Sequence, residues 1–182
     1  DQNTFPGIDV ARFGESINII ADRATFEGTS VIEQIDGACT MFERYYSVET
    51  IEGARRATHY SIPYEAFREA VANAVAHRTW DVNAKIRIAM HPDHIEISSP
   101  GGLPAGLGRD EYLRGFISQL RNPILANVLF RLNIIEMFGT GIVRIRSSYV
   151  EYEQKPEFDV SENAVRVTLP VTDARPALTS DE

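Results

Sequence analysis

The chain is poor in the features that mark several protein classes. It has one cysteine, Cys39, in 182 residues, so it cannot form an internal disulfide or a cysteine-based zinc framework. That usage fits a reducing, cytoplasmic location, with Cys39 read as a small apolar residue on a helix. No apolar run approaches the roughly 20 residues needed to span a bilayer, and nothing at the N-terminus has the layout of a secretory signal. The start at Asp1 rather than methionine reads as a fragment of a longer protein. There are no internal repeats. No glycine is followed by lysine, so the phosphate loop of a P-loop motor, G-x-x-x-x-G-K-[ST], is absent from these residues.

Excess positive charge is also missing. The net charge is −8, which argues against nucleic-acid binding by the whole surface. The charge is uneven: −7 over residues 1–53, +4 over residues 54–150 and −5 over residues 151–182. A basic middle section can attract a small polyanion.

What is present is patterned. Residues 1–14 read as an extended linker, and residues 16–21 as a short strand. Residues 28–46 read as a helix, with Val31, Ile32, Ile35, Ala38, Cys39 and Phe42 at helical spacing. Residues 47–62 read as one or two strands. Residues 63–80 then wind into a helix with an apolar stripe of Phe67, Ala70, Val71, Ala74 and Val75. Glu69, Asn73 and His77 stack along another edge at i, i+4 and i+8. Residues 84–90 alternate with period 2 and pair with residues 95–98 as a hairpin. The hairpin runs into Ser99, Pro100, Gly101, Gly102, Leu103 and Pro104. Residues 109–116 form a possible helix, and another starts at Arg121, Asn122 and Pro123 with Ile124, Leu125, Val128 and Leu129 facing inward. A second glycine pair, Gly139 and Gly141 around Thr140, precedes an apolar-periodic segment at residues 142–149. Strands follow near residues 156–160 and 164–171, and residues 173–182 read as a disordered tail. Helices interleaved with these strands imply an α+β sandwich, with helices on one face of a mixed, mostly antiparallel sheet.

Four stretches in this order, REAVANAVAHR, IEISSPGGLPAG, RNPILANVL and IEMFGTGIVRI, resemble the C-terminal domain of RecG-related transcriptional regulators. That domain belongs to the GHKL (Bergerat) ATPase superfamily, with gyrase B, histidine kinases and MutL. The resemblance covers roughly residues 55–172. It divides the chain into an extension at residues 1–50, a nucleotide-binding domain at residues 51–172 and the tail. In such proteins the extension leads from an upstream Schlafen/AlbA-like domain and a winged helix follows downstream, so DNA contact is left to domains outside this chain. Relatives dimerise through extensions of this kind, so a homodimer is expected by analogy. No membrane partner is implied.

The resemblance implies ATP and Mg²⁺ as ligands of a nucleotide switch with slow hydrolysis or none. Glu69 falls at the general-base position, and Asn73 at the position that supplies an oxygen to Mg²⁺. Read without the resemblance, Glu69 instead pairs with Arg68 or Arg78, and Asn73 caps a neighbouring strand. Ser98 or Ser99 stands where the superfamily uses an aspartate to read adenine. Gly101 and Gly102 follow, where the backbone must approach the ligand. That departure leaves three readings: a serine that serves with a water, a different ligand, or a degenerate interaction module without nucleotide. The Pro-Gly-Gly stretch also reads as a plain turn. Gly139, Thr140 and Gly141 form either a phosphate cradle at a helix start or a tight turn. Arg121 reaches a phosphate or a helix C-terminus. His77 is a supporting hydrogen-bonder, and His91 and His94 lack the further ligands a metal would need.

Overall fold

A computed structural model describes residues 6–115, 119–135 and 139–172. The expected tail at residues 173–182 lies outside them. Eight strands and five helices occur among the described residues. In chain order they are β1 (Ile8–Phe13), β2 (Ile20–Phe26), α1 (Val31–Tyr46), β3 (Ser47–Glu52), β4 (Arg55–Tyr60), α2 (Tyr64–His77), β5 (Ile86–Met90) and β6 (His94–Pro100). Then come α3 (Arg109–Arg114), α4 (Pro123–Arg131), α5 (Gly141–Ser147), β7 (Glu157–Val160) and β8 (Ala164–Pro170). Six strands form one sheet in the order β2-β1-β5-β6-β8-β7, and β3 and β4 form a separate hairpin. The β1–β5 pair is parallel, and the other described pairs are antiparallel.

Alternation fixes which face of the sheet is covered. Ile95, Ile97 and Ser99 of β6 point inward with Ile86, Ile88 and Met90 of β5, while Arg87 and Arg166 point outward. The covered face packs on α1 and α2, where Phe42 and Phe67 stack at 4.3 Å between ring centroids. Helix α1 starts at a capping box: Glu33 N–H donates to Ser30 Oγ at 3.2 Å, and Ser30 N–H to Glu33 Oε2 at 2.9 Å. Helix α2 buries all five expected stripe residues and also Ala66, Ala72 and Ala76. It is packed against α1, α5, β6 and β8, so it is covered on more than one side.

The structure corrects three expectations. Residues 8–13 are a sheet strand rather than linker: Ile8 and Val10 are fully buried, and β1 runs beside β5. Gly7 and Gly14 bracket a strand too short for its alternation to stand out. The next strand is Ile20–Phe26 rather than residues 16–21, since residues 14–19 make the turn, closed by Gly14 N–H donating to Ile19 O at 2.8 Å. Residues 8–46 therefore contribute two strands and α1 to the same sheet and core. Finally, only part of the expected inner face of α4 packs inward: Leu129 is buried, with Ala126, and Leu125 packs against the core, whereas Ile124 and Val128 are 80% and 46% exposed.

Candidate functional site

The site is built where three elements meet: the C-terminal half of α2, the end of β6 and the start of α5. Helix α2 lies along the sheet with Ala74 over the end of β6. Ser99 Oγ donates to Ala74 O at 2.8 Å, satisfying one of the carbonyls that a helix C-terminus leaves without an intrahelical partner. This bond uses the serine's proton, so towards its surroundings the Ser99 oxygen can only accept. Ser98, one residue earlier, sits on the other face of the sheet between Arg87 and Arg166 in the strand register.

The glycine stretch after β6 is packed between two backbones. Thr79 N–H donates to Pro100 O at 2.9 Å, and Gly101 N–H donates to Asn163 O at 2.8 Å. Gly101 has φ +98°, and a Cβ there would lie 1.7 Å from Thr79 Oγ1. At Gly102 a Cβ would lie 2.2 Å from Glu162 O. Close packing therefore requires both glycines, independently of any ligand. Arg121 holds the same corner, donating to Thr79 Oγ1 at 2.7 Å and to the Gly102 carbonyl. Arg78 is completely buried nearby, with Nη2 donating to Val82 O at 2.8 Å and Ala84 O at 2.9 Å, and its guanidinium 5.3 Å from the Trp80 ring centre.

Under α2 lies a cavity of about 80 Å³, partly open to solvent. Of the residues proposed from the sequence, Asn73, Ser99, Gly101, Gly102, Gly139 and Gly141 line it, as does His77. Ser98, Arg121, Thr140 and Glu69 do not. Glu69 is 3% exposed and lines a separate polar pocket of about 300 Å³ with Glu65, Arg68, Arg144, Ser147 and Ser148. Asn73 connects the two pockets chemically: its Nδ2 donates to Glu69 Oε1 at 3.1 Å. The i, i+4 spacing thus brings the carboxylate and the carboxamide together, facing different spaces. Gly141 covers Asn73 so closely that a Cβ would lie 2.3 Å from Asn73 Nδ2.

The electrostatics are set by burial. His77 is held below the usual imidazole pKa by burial and then by the positive charge of Arg121. Burial pushes the Tyr112 phenol, also at the cavity, up to about 12. Both are neutral at pH 7. Sequence reasoning missed the outer wall, made by Leu103, Leu107, Tyr112 and Leu120 from one side and Phe158 and Val165 from the other. No pattern in those segments marks them as a shared surface, because they meet only when β7 and β8 close the sheet.

No group of three or more His, Cys, Asp or Glu able to hold a metal occurs among the described residues. Mg²⁺ in nucleotide sites needs only one or two protein oxygens beside the phosphates, so the relevant donor is Asn73 Oδ1. Gly141 packs beside that carboxamide, whose nitrogen donates to Glu69 Oε1, so Asn73 Oδ1 is the oxygen that would be offered to a magnesium ion.

A six-stranded mixed sheet with helices packed on one face, and a cavity beneath the helix that carries Glu69 and Asn73, is an α+β architecture of the GHKL ATPase type. Residues 83–169 match the family described as "Putative ATP-dependent DNA helicase recG C-terminal". Helix α2 lies ahead of the matched segment. The crystal structure of the DIP2311 protein from Corynebacterium diphtheriae superposes with a TM-score of 0.80 at 25% identity. The match covers 96% of this chain and 36% of that one, so the chain spans about a third of that protein's length. No curated protein matches the chain. No helix among the described residues is long and apolar enough to cross a membrane.

Proposed function

We propose that this domain binds an adenine nucleotide in the cavity between α2, the end of β6 and the start of α5, and acts as a nucleotide-responsive switch within a longer DNA-associated regulator. The observation that carries this reading is convergence: Asn73, Ser99, Gly101, Gly102, Gly139 and Gly141, from three separate stretches of sequence, line one cavity. The match of residues 83–169 to an ATPase-like family supports it. Hydrolysis is slow or absent in this reading, because the Glu69 carboxylate faces the neighbouring pocket instead of the cavity. DNA contact is left to other parts of the longer protein, consistent with the net charge of −8.

The test is a thermal-shift titration with ATP and ADP. A ligand at about 100 times its Kd stabilises the folded state by about 2.7 kcal/mol, which in a domain of this size raises Tm by roughly 5–10 °C. No shift at millimolar nucleotide would favour the second reading, an interaction module without nucleotide. The observation on that side is that no charged side chain lines the cavity among the described residues.

A further inference from the structure

We propose that Asp22 guards the free edge of the sheet: its carboxylate, pinned by α1, lies across the outer side of β2 and keeps a second copy of this chain from adding there as a further strand.

Hydrogen-bond direction shows which groups of β2 face outward. The Gly7 carbonyl, just before β1, accepts from Ile86 N–H of β5 at 3.1 Å. Strand alternation then turns Ile8, Val10 and Arg12 toward β2, where their register partners are Phe26, Ala24 and Asp22. Arg23 and Thr25 therefore point their backbone groups away from β1, into the free edge. Among the described residues no strand lies beyond β2. A row of backbone donors and acceptors left open in this way is a template for another strand. Apolar material for adhesion lies next to it: Ile17, Ile19 and Ile20 are 72%, 56% and 56% exposed.

Asp22 closes this edge. Its Oδ1 accepts from Arg23 N–H at 2.8 Å, one of the donors an incoming strand would use. Its Oδ2 accepts from the Tyr45 hydroxyl at 2.6 Å and from Arg44 Nη1 at 3.3 Å, both on α1. The helix thus holds the carboxylate over a backbone donor of the strand. The register shift between Arg12 and Phe13 leaves Ala21 without a partner on β1, a bulge that further spoils a regular edge. The opposite edge needs less protection, because β7 has only four residues. With the carboxylate removed, a second copy of β2 fits antiparallel. Pairing centred on Ala24 sets Arg23 of each copy opposite Thr25 of the other, joining the outward-facing residues with no like charges opposed.

Sedimentation velocity on the 182-residue chain tests the inference. Asp22→Ala is expected to self-associate at least about tenfold more tightly than wild type. Adding Thr25→Pro removes an edge-facing N–H that β1 does not use, so it is expected to return association to the wild-type level in a folded protein. The pair Arg44→Ala with Tyr45→Phe keeps the carboxylate but frees it, and is expected to tighten association by a smaller factor. A folded Asp22→Ala protein that associates no more tightly than wild type overturns the inference. If Asp22→Ala does not fold, the absence of any tightening in the folded pair overturns it instead. Association that persists at full strength after Thr25→Pro also overturns it, since the contact would then lie on another surface.

Discussion

At the scale of single residues, the glycines near the cavity are fixed by what surrounds them. Gly101 combines a left-handed backbone, φ +98°, with a Thr79 hydroxyl where a Cβ would sit. Gly101→Ala should therefore destabilise the fold by about 3 kcal/mol, measured by urea unfolding. Gly141→Ala meets a side chain instead of backbone, and Asn73 can yield only by giving up its bond to Glu69. Its expected cost is about 1–3 kcal/mol. His77 carries a pH signature. Its folded-state pKa is depressed below 6.5, so at lower pH the unfolded chain binds a proton that the folded chain refuses. Stability should fall as pH drops below 6.5, and His77→Gln should remove part of that slope in unfolding curves at pH 7.5 and 5.5. His91, also depressed by burial and by His94, accounts for part of the remainder. Glu69 and Asn73 were legible from spacing, because i and i+4 must meet on a helix. The spaces they face were not legible, since that depends on where α5 crosses α2.

At the scale of elements, strong periodicity was a reliable guide and short elements were not. Helices α1 and α2 and the β5–β6 hairpin lie where their patterns put them, because each repeats its period several times within one element. Strand β1 was missed although its Ile8-x-Val10 alternation is correct, because six residues between glycines carry too few repeats to separate strand from linker. Helix α4 shows the opposite error. Its apolar residues lie all round the helix, so periodicity cannot choose a face, and tertiary packing selects Ala126 and Leu129. Ile124→Ser should accordingly change stability by no more than about 0.5 kcal/mol, whereas Leu129→Ala should cost about 2–5 kcal/mol. Similar costs for both would show that α4 packs by the face read from the sequence.

At the scale of the whole molecule, the sheet ties residues 8–46 and the family-matched segment into one body. Strand β1 pairs with β5, and α1 packs on α2. The cavity also joins distant segments: Ala74 on α2 and Phe158 on β7, both in its lining, lie 84 residues apart. The proposed ligand site is this cavity. Amide-resolved NMR titration with ATP tests it most directly. Shifts are expected to concentrate at Asn73, Ser99, Gly101, Gly102, Gly139 and Gly141, with Arg87, Glu96 and Arg166 on the outer face of the sheet unmoved. Shifts centred on the outer face, or none at millimolar ATP, would contradict it.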